Sequence, residues 1–134
     1  MARPTPVIRA ALRALACALA GCAASGAAHA AGDAAAGGKV FATECAECHS
    51  VKEGKDKKGP SLHGVFGAKA AQREGFVYSE AMRSAGLTWT PANLAAYVSA
   101  PAKLVPGGKM KYDGLADAAQ RDDLLAYLAA AAAR

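Results

Sequence analysis

Two cysteines and a histidine in "FATECAECHSVKEG" are the residues best placed to do chemistry. Cys45 and Cys48 lie three positions apart, and His49 follows the second directly. Three chemistries use such a set: a redox dithiol, half of a zinc site, or an anchor for a larger group. A dithiol of the thioredoxin kind needs a βαβ setting, which the surrounding pattern lacks. A structural zinc site needs a fourth ligand, typically from a second Cys or His cluster, and no cysteine follows Cys48. A 45–48 disulfide would close a small, strained loop. The spacing matches the c-type haem attachment pattern. Cysteines at i and i+3 share one side of a turn, where each can form a thioether to a haem vinyl group. The adjacent histidine then projects over the ring face toward iron.

The elements that must hold this set begin after residue 30. "MARPTPVIRAALR" carries Arg3, Arg9 and Arg13 and no acid, "ALACALAGCAA" is a short apolar run, and "AHA" ends at Ala30. This is a secretory signal, too short and alanine-rich for a transmembrane helix. "LAGC" at Leu19–Cys22 also resembles a bacterial lipobox, so Cys22 is a second candidate for the mature N-terminus, lipid-anchored. Either product lies outside the cytoplasm, and the expected location is the periplasm. Residues 31–134 then form one domain.

The whole chain has 16 basic and 11 acidic residues, a net charge of +5. Without the three leader arginines the balance falls to thirteen against eleven, or +2. That is not the charge of a nucleic-acid binder, and no Arg-rich helix or aromatic platform suggests one. Three Phe, one Trp and four Tyr make a thin apolar inventory for a domain of this size. Something besides side chains must fill the centre.

Asp33 is a good N-cap for a helix over "AAAGGKVFATEC". Its Gly37–Gly38 pair costs helix stability and makes sense where another helix approaches closely. Residues 50–60 and 61–76 read as glycine-broken loops. Ser79–Ala85 predicts a short helix stopped by Gly86, and Thr90-Pro91 opens another that runs to Pro101. "AKLVPGGKMKYDGL" reads as irregular. Asp117 and Gln120 predict a capping box for the last helix, with Leu124, Tyr127 and Leu128 as its apolar stripe. No alternating run predicts a strand, so the domain is expected to be all-α, with long loops wrapped around something.

Six motifs, in order, carry a family resemblance: "CAECH" at 45–49, "GPSLHGVFG" at 59–67, "GFVYSEA" at 75–81, "GLTW" at 86–89, "VPGGKM" at 105–110 and "RDDLLAYL" at 121–128. From Gly32 onward the chain resembles a class I cytochrome c, close to the mitochondrial proteins and their small bacterial periplasmic relatives. The resemblance implies the cytochrome c fold and one covalent haem c on Cys45 and Cys48. His49 and Met110 would be the axial iron ligands. A neutral thioether favours ferrous iron, so such a pair raises the reduction potential. Pro60 would accept the other imidazole N–H of His49, orienting the ring. Tyr97 would reach the Met110 sulfur, and Tyr78 and Trp89 would bind a haem propionate. Gly37, Phe41, Leu124 and Tyr127 would join the first and last helices, whereas His63 has no role beyond structure or surface.

Departures from the family pattern stand at four positions. Its usual arginine is Ala68, its asparagine Met82, its threonine before Lys-Met is Gly108, and one interface lysine is Ala102. These predict a weaker propionate network, extra backbone freedom at Gly108, and an iron–sulfur bond that yields at high pH to Lys109 or Lys103. Lysines 52, 55, 57, 58, 69, 103, 109 and 111 crowd the loops expected to frame the haem edge, a positive ring suited to brief docking on acidic partners. The implied function is a monomeric one-electron carrier, not an enzyme. Its implied partners are membrane complexes such as a quinol-oxidising cytochrome complex and a terminal oxidase or reaction centre. Two alternatives stay open: a haem protein with a labile Met110, acting as a peroxidase or gas sensor, and a haem-free dithiol oxidoreductase.

Overall fold

Asp33 caps the first helix as the sequence predicts. Its carboxylate accepts hydrogen bonds from the amides of Ala35 (2.7 Å) and Ala36 (3.1 Å), opening α1 at Ala34–Val40. The computed structural model describes residues 32–133; the leader, Cys22, Ala30 and Arg134 lie outside the described residues.

The expected straight run of α-helix to Cys45 does not occur. Phe41–Cys45 is a π-helical turn, closed by the Ala46 amide donating to Phe41 O at 2.8 Å. The wider turn rotates the chain beyond it, so the cysteine pair leaves the helix on a different heading than a regular α-helix would set. Such turns are rare and often sit at functional sites.

Three further helices follow the sequence signals. Ser79 Oγ caps α2, Glu80–Ser84, by accepting from Met82 N at 3.1 Å, and Gly86 ends it with φ +64°. Thr90 Oγ1 caps α3, Pro91–Ser99. Pro101, read above as a stop, instead starts a four-residue helix, α4, Pro101–Leu104. A proline ends the preceding helix yet suits the first turn of a new one, where its missing N–H has no helical partner to lose. The last helix, α5, spans Ala118–Ala131. Asp117 Oδ1 accepts the Gln120 amide at 2.9 Å, so one half of the expected capping box forms.

The described residues contain no strand. A single antiparallel bridge joins Lys69 and Thr88, and backbone bonds link Gly67 N to Trp89 O, Trp89 N to Ala68 O and Ala70 N to Leu87 O. This stitching holds two of the long loops together where periodicity gave no signal.

The helix crossing explains the glycine pair. A Cβ on Gly37 would sit 1.8 Å from the Asp123 carbonyl oxygen and 2.8 Å from Tyr127 Cβ, so α1 and α5 touch backbone to backbone. Phe41 and Tyr127 pack their rings 5.3 Å apart beside this contact, and the Asp33 amide donates to Asp123 Oδ1 at 2.7 Å. Leu124 and Leu128 are almost wholly buried, joined by Phe41, Val65, Leu94 and Val98 in the main apolar cluster. A second cluster of Ala70, Met82, Tyr97 and Val105 packs with Trp89 and Met110. The volume between these clusters is where the site lies.

Candidate functional site

A cavity of about 1650 Å³ opens into the domain, well above the roughly 300–1,000 Å³ of an ordinary small-molecule site. Cys45, Cys48 and His49 line it from the π turn and the bend after it. Pro60 follows from the first long loop, and Met110 from the segment after α4. Tyr78, Trp89 and Tyr97 complete the set, so the eight residues expected above to attach, ligate or contact the haem line one volume.

His49 is held in one orientation. Its Nδ1 and Pro60 O are 2.8 Å apart, and because a carbonyl only accepts, Nδ1 carries the proton and donates. The lone pair is thereby left on Nε2. Burial lowers the imidazole's basicity, the Pro60 bond works in the other direction, and the Lys57 charge lowers it further. A neutral ring with a free Nε2 is the form that binds a metal. Gly59 makes room for it: a Cβ there would lie 2.4 Å from His49 Cε1 and under 3 Å from both ring nitrogens. Gly59→Ala is therefore expected to displace the ring and reduce haem-loaded yield several-fold, measured as haem absorbance per mole of protein. A wild-type yield would mean that the ring orientation tolerates the shift.

Cys45 and Cys48 are not joined to each other in a disulfide. Burial pushes the Cys45 thiol up to about 11, with smaller contributions from the Glu44 charge and from Cys48. Dithiol oxidoreductases need a lowered thiol pKa to present a nucleophile, so the shift at Cys45 runs against that alternative.

Tyr97 is buried, its ring 5.1 Å from Trp89, and burial raises its hydroxyl pKa. It shares the second cluster with Met110, although no hydrogen bond joins them among the described residues. Tyr78 packs edge-on against Phe76 at 4.8 Å. Met82, standing at the family's asparagine position, is buried in the second cluster and lines the cavity. Gly108 is not the loose point expected above. Its neighbour Gly107 takes the left-handed φ (+83°). Gly108 donates its amide to Val105 O, and a Cβ there would meet that oxygen at 3.1 Å, so the position is tight.

The lysine ring also looks different in three dimensions. Lys58, Lys69, Lys109 and Lys111 line the cavity, but Glu44, Glu47, Glu53 and Glu74 line it too. Lys58 pairs with Glu47, and Lys57 Nζ donates to Ala46 O. The rim is mixed in sign, with lysines flanking Met110 and acids near the cysteines. Sequence reasoning missed a tie across it: the Tyr112 hydroxyl donates to Glu44 Oε2 at 3.0 Å. This links the residue two after Met110 to the residue before Cys45, and only the fold brings them together.

The residues fit a haem on this structure's own terms. The cavity is the size of a large cofactor, two thiols stand on its wall, and an imidazole is fixed with its ligand nitrogen free. A helical domain arranged in this way is the protein part of a c-type haem protein. The Cytochrome c family profile matches residues 34–132, and the chain belongs to that family. It carries one covalently attached haem c with its iron. Cytochrome c2 of Rhodoblastus acidophilus is 52% identical over 99 residues, covering 73% of this chain and 92% of that protein. Cytochrome c of Gibberella zeae is 44% identical over 98 residues, 72% of this chain and 92% of its own length. That of Chlamydomonas reinhardtii is 45% identical over 104 residues, 77% and 93%.

Proposed function

We propose that this chain is a one-electron carrier of the bacterial periplasm, with His49 and Met110 as the axial ligands of its haem iron. The observation that carries the reading is the His49–Pro60 bond, which leaves Nε2 as the free nitrogen on the cavity wall. The location rests on the secretory leader and on likeness to a bacterial cytochrome c2. No helix among the described residues is long and apolar enough to cross a membrane.

Haem bound in the cavity supplies a one-electron couple. His49, held by Pro60, would keep its orientation in both oxidation states. Met110 offers a soft, neutral sulfur that favours ferrous iron. Tyr78 and Trp89 would be the donors for the haem carboxylates, and Tyr97, packed in the same cluster as Met110, would be the donor toward its sulfur. The apolar clusters exclude water from the rest of the cavity, which lowers the rearrangement that accompanies each electron. With His49 and Met110 both binding the iron, no position would remain for a substrate, so the chain would act by passing electrons rather than by transforming a bound molecule.

The proposed partners are membrane redox complexes, a quinol-oxidising cytochrome complex on one side and a terminal oxidase or reaction centre on the other. They would meet the rim where Lys109 and Lys111 stand, through a small transient interface. The ferric absorption spectrum of the haem-loaded protein tests the ligand set. The weak long-wavelength band of an iron–methionine bond is expected. A high-spin spectrum without it would replace this reading with an open iron that takes peroxide or gases.

A further inference from the structure

Haem brings two carboxylates, and a carboxylate drawn into a protein costs free energy unless a cation or several donors meet it. The position at which the family resemblance puts arginine is Ala68, on the cavity wall. Five cationic side chains line the cavity: Lys58, Lys69, Arg73, Lys109 and Lys111. The four lysines are exposed, whereas the Arg73 side chain is only 24% exposed.

Arg73 is also held in place. Its Nε donates to Ser61 O at 3.2 Å and its Nη2 to His63 O at 3.1 Å. A guanidinium has five N–H donors, so these bonds leave three for other acceptors. The nearest acid, Asp56, is 3.9 Å from Nε, long for a charge-assisted bond, and its Oδ1 already accepts the Ser61 amide at 2.7 Å. The loop reaches this position through Ala71, whose φ of +59° reverses the chain. The Arg73 charge and backbone amide act on the Tyr78 hydroxyl, partly offsetting the rise that burial causes there. Arg73 and Tyr78, a residue already assigned to the carboxylates, line the same cavity.

We propose that Arg73 is the cation that faces the haem carboxylates in this chain, supplied by a neighbouring loop where Ala68 has no charge to offer. The inference rests on haem occupying the cavity in the axial arrangement proposed above. It makes Arg73 a positioning residue for the cofactor, and His63, through its carbonyl, part of the support for that charge.

The midpoint potential of the haem-loaded protein separates this role from that of a loop staple. A positive charge near the ring disfavours the ferric state, so Arg73→Gln is expected to raise the ferric-to-ferrous ratio at fixed ambient potential, on the order of fivefold. Arg73→Lys, which keeps the charge, is expected to recover most of that change, and so is Arg73→Gln combined with Ala68→Arg. A staple alone would lose stability with the potential unmoved and no rescue from Ala68→Arg; that result overturns the proposal. If Arg73→Gln does not fold, Ala68→Arg in the wild type decides. A shift under twofold means the carboxylates already have their cation, and a several-fold shift toward ferrous iron means they lacked one. Loss of the iron–methionine band in the wild type would instead count against the ligand reading. An intact band with an unmoved Arg73→Gln potential would count against Arg73 alone.

Discussion

Met110→Ala is expected to lower the midpoint potential on the order of 0.3 V, a fraction of the roughly 0.8 V that axial ligands span, and to abolish the long-wavelength band. The haem should stay attached, because the thioethers at Cys45 and Cys48 do not depend on the sixth ligand. Met110 sits partly buried against the cluster of Ala70, Met82, Tyr97 and Val105, so its truncation leaves a gap that water or an added ligand can enter. Redox titration and ferric spectra of the variant measure both effects. Met82→Ala serves as the control, since that methionine lies in the same cluster and is expected to leave the band in place. An unchanged potential and band in Met110→Ala would mean that a different side chain ligates the iron.

Gly37→Ala carries the largest expected effect on stability, and its sign opposes helix propensity. Alanine in a helix interior is favoured over glycine by about 1 kcal/mol. Here the added methyl would lie 1.8 Å from the Asp123 carbonyl oxygen, a backbone atom that no rotamer change can move. The helices must part, at a cost of about 3 kcal/mol, the upper part of the overpacking range. The urea midpoint of the haem-loaded protein should fall by about 1–2 M, given ordinary denaturant slopes. Gly38→Ala is the internal comparison: its Cβ would meet the Tyr127 ring at 3.4 Å, an ordinary contact, and its midpoint should hold or rise slightly. A Gly37→Ala midpoint equal to that of wild type would show that the crossing has slack.

What was legible in the sequence was local. Asp33, Thr90 and Asp117 each cap the helix they were expected to open, because a cap is a contact between residues two or three apart, and Ser79, read as the first residue of its helix, is its cap instead. The cysteine–histidine set was legible for the same reason. The π turn at Phe41–Cys45 was not, since the residues of "FATEC" have no composition that distinguishes it from an α-helix. Pro101 carried two valid meanings, and only packing chose the second. Gly59 against His49, Tyr112 against Glu44 and the cavity lining shared by Arg73 and Tyr78 join residues that periodicity cannot pair. The Gly37 crossing is the exception, because an unfavourable pair of glycines inside a helix signalled that another helix must come close.

The Gly37–Asp123 contact has a consequence for the order in which the molecule is made. The two residues are 86 positions apart, so closing that loop takes nearly the whole domain and carries a matching entropic cost. A chain still leaving the ribosome has no α5 for α1 to meet, and the cysteine pair beside α1 remains in an open, reachable segment during that interval. Modification of Cys45 and Cys48 therefore has a natural window, which the arrival of the last helix closes.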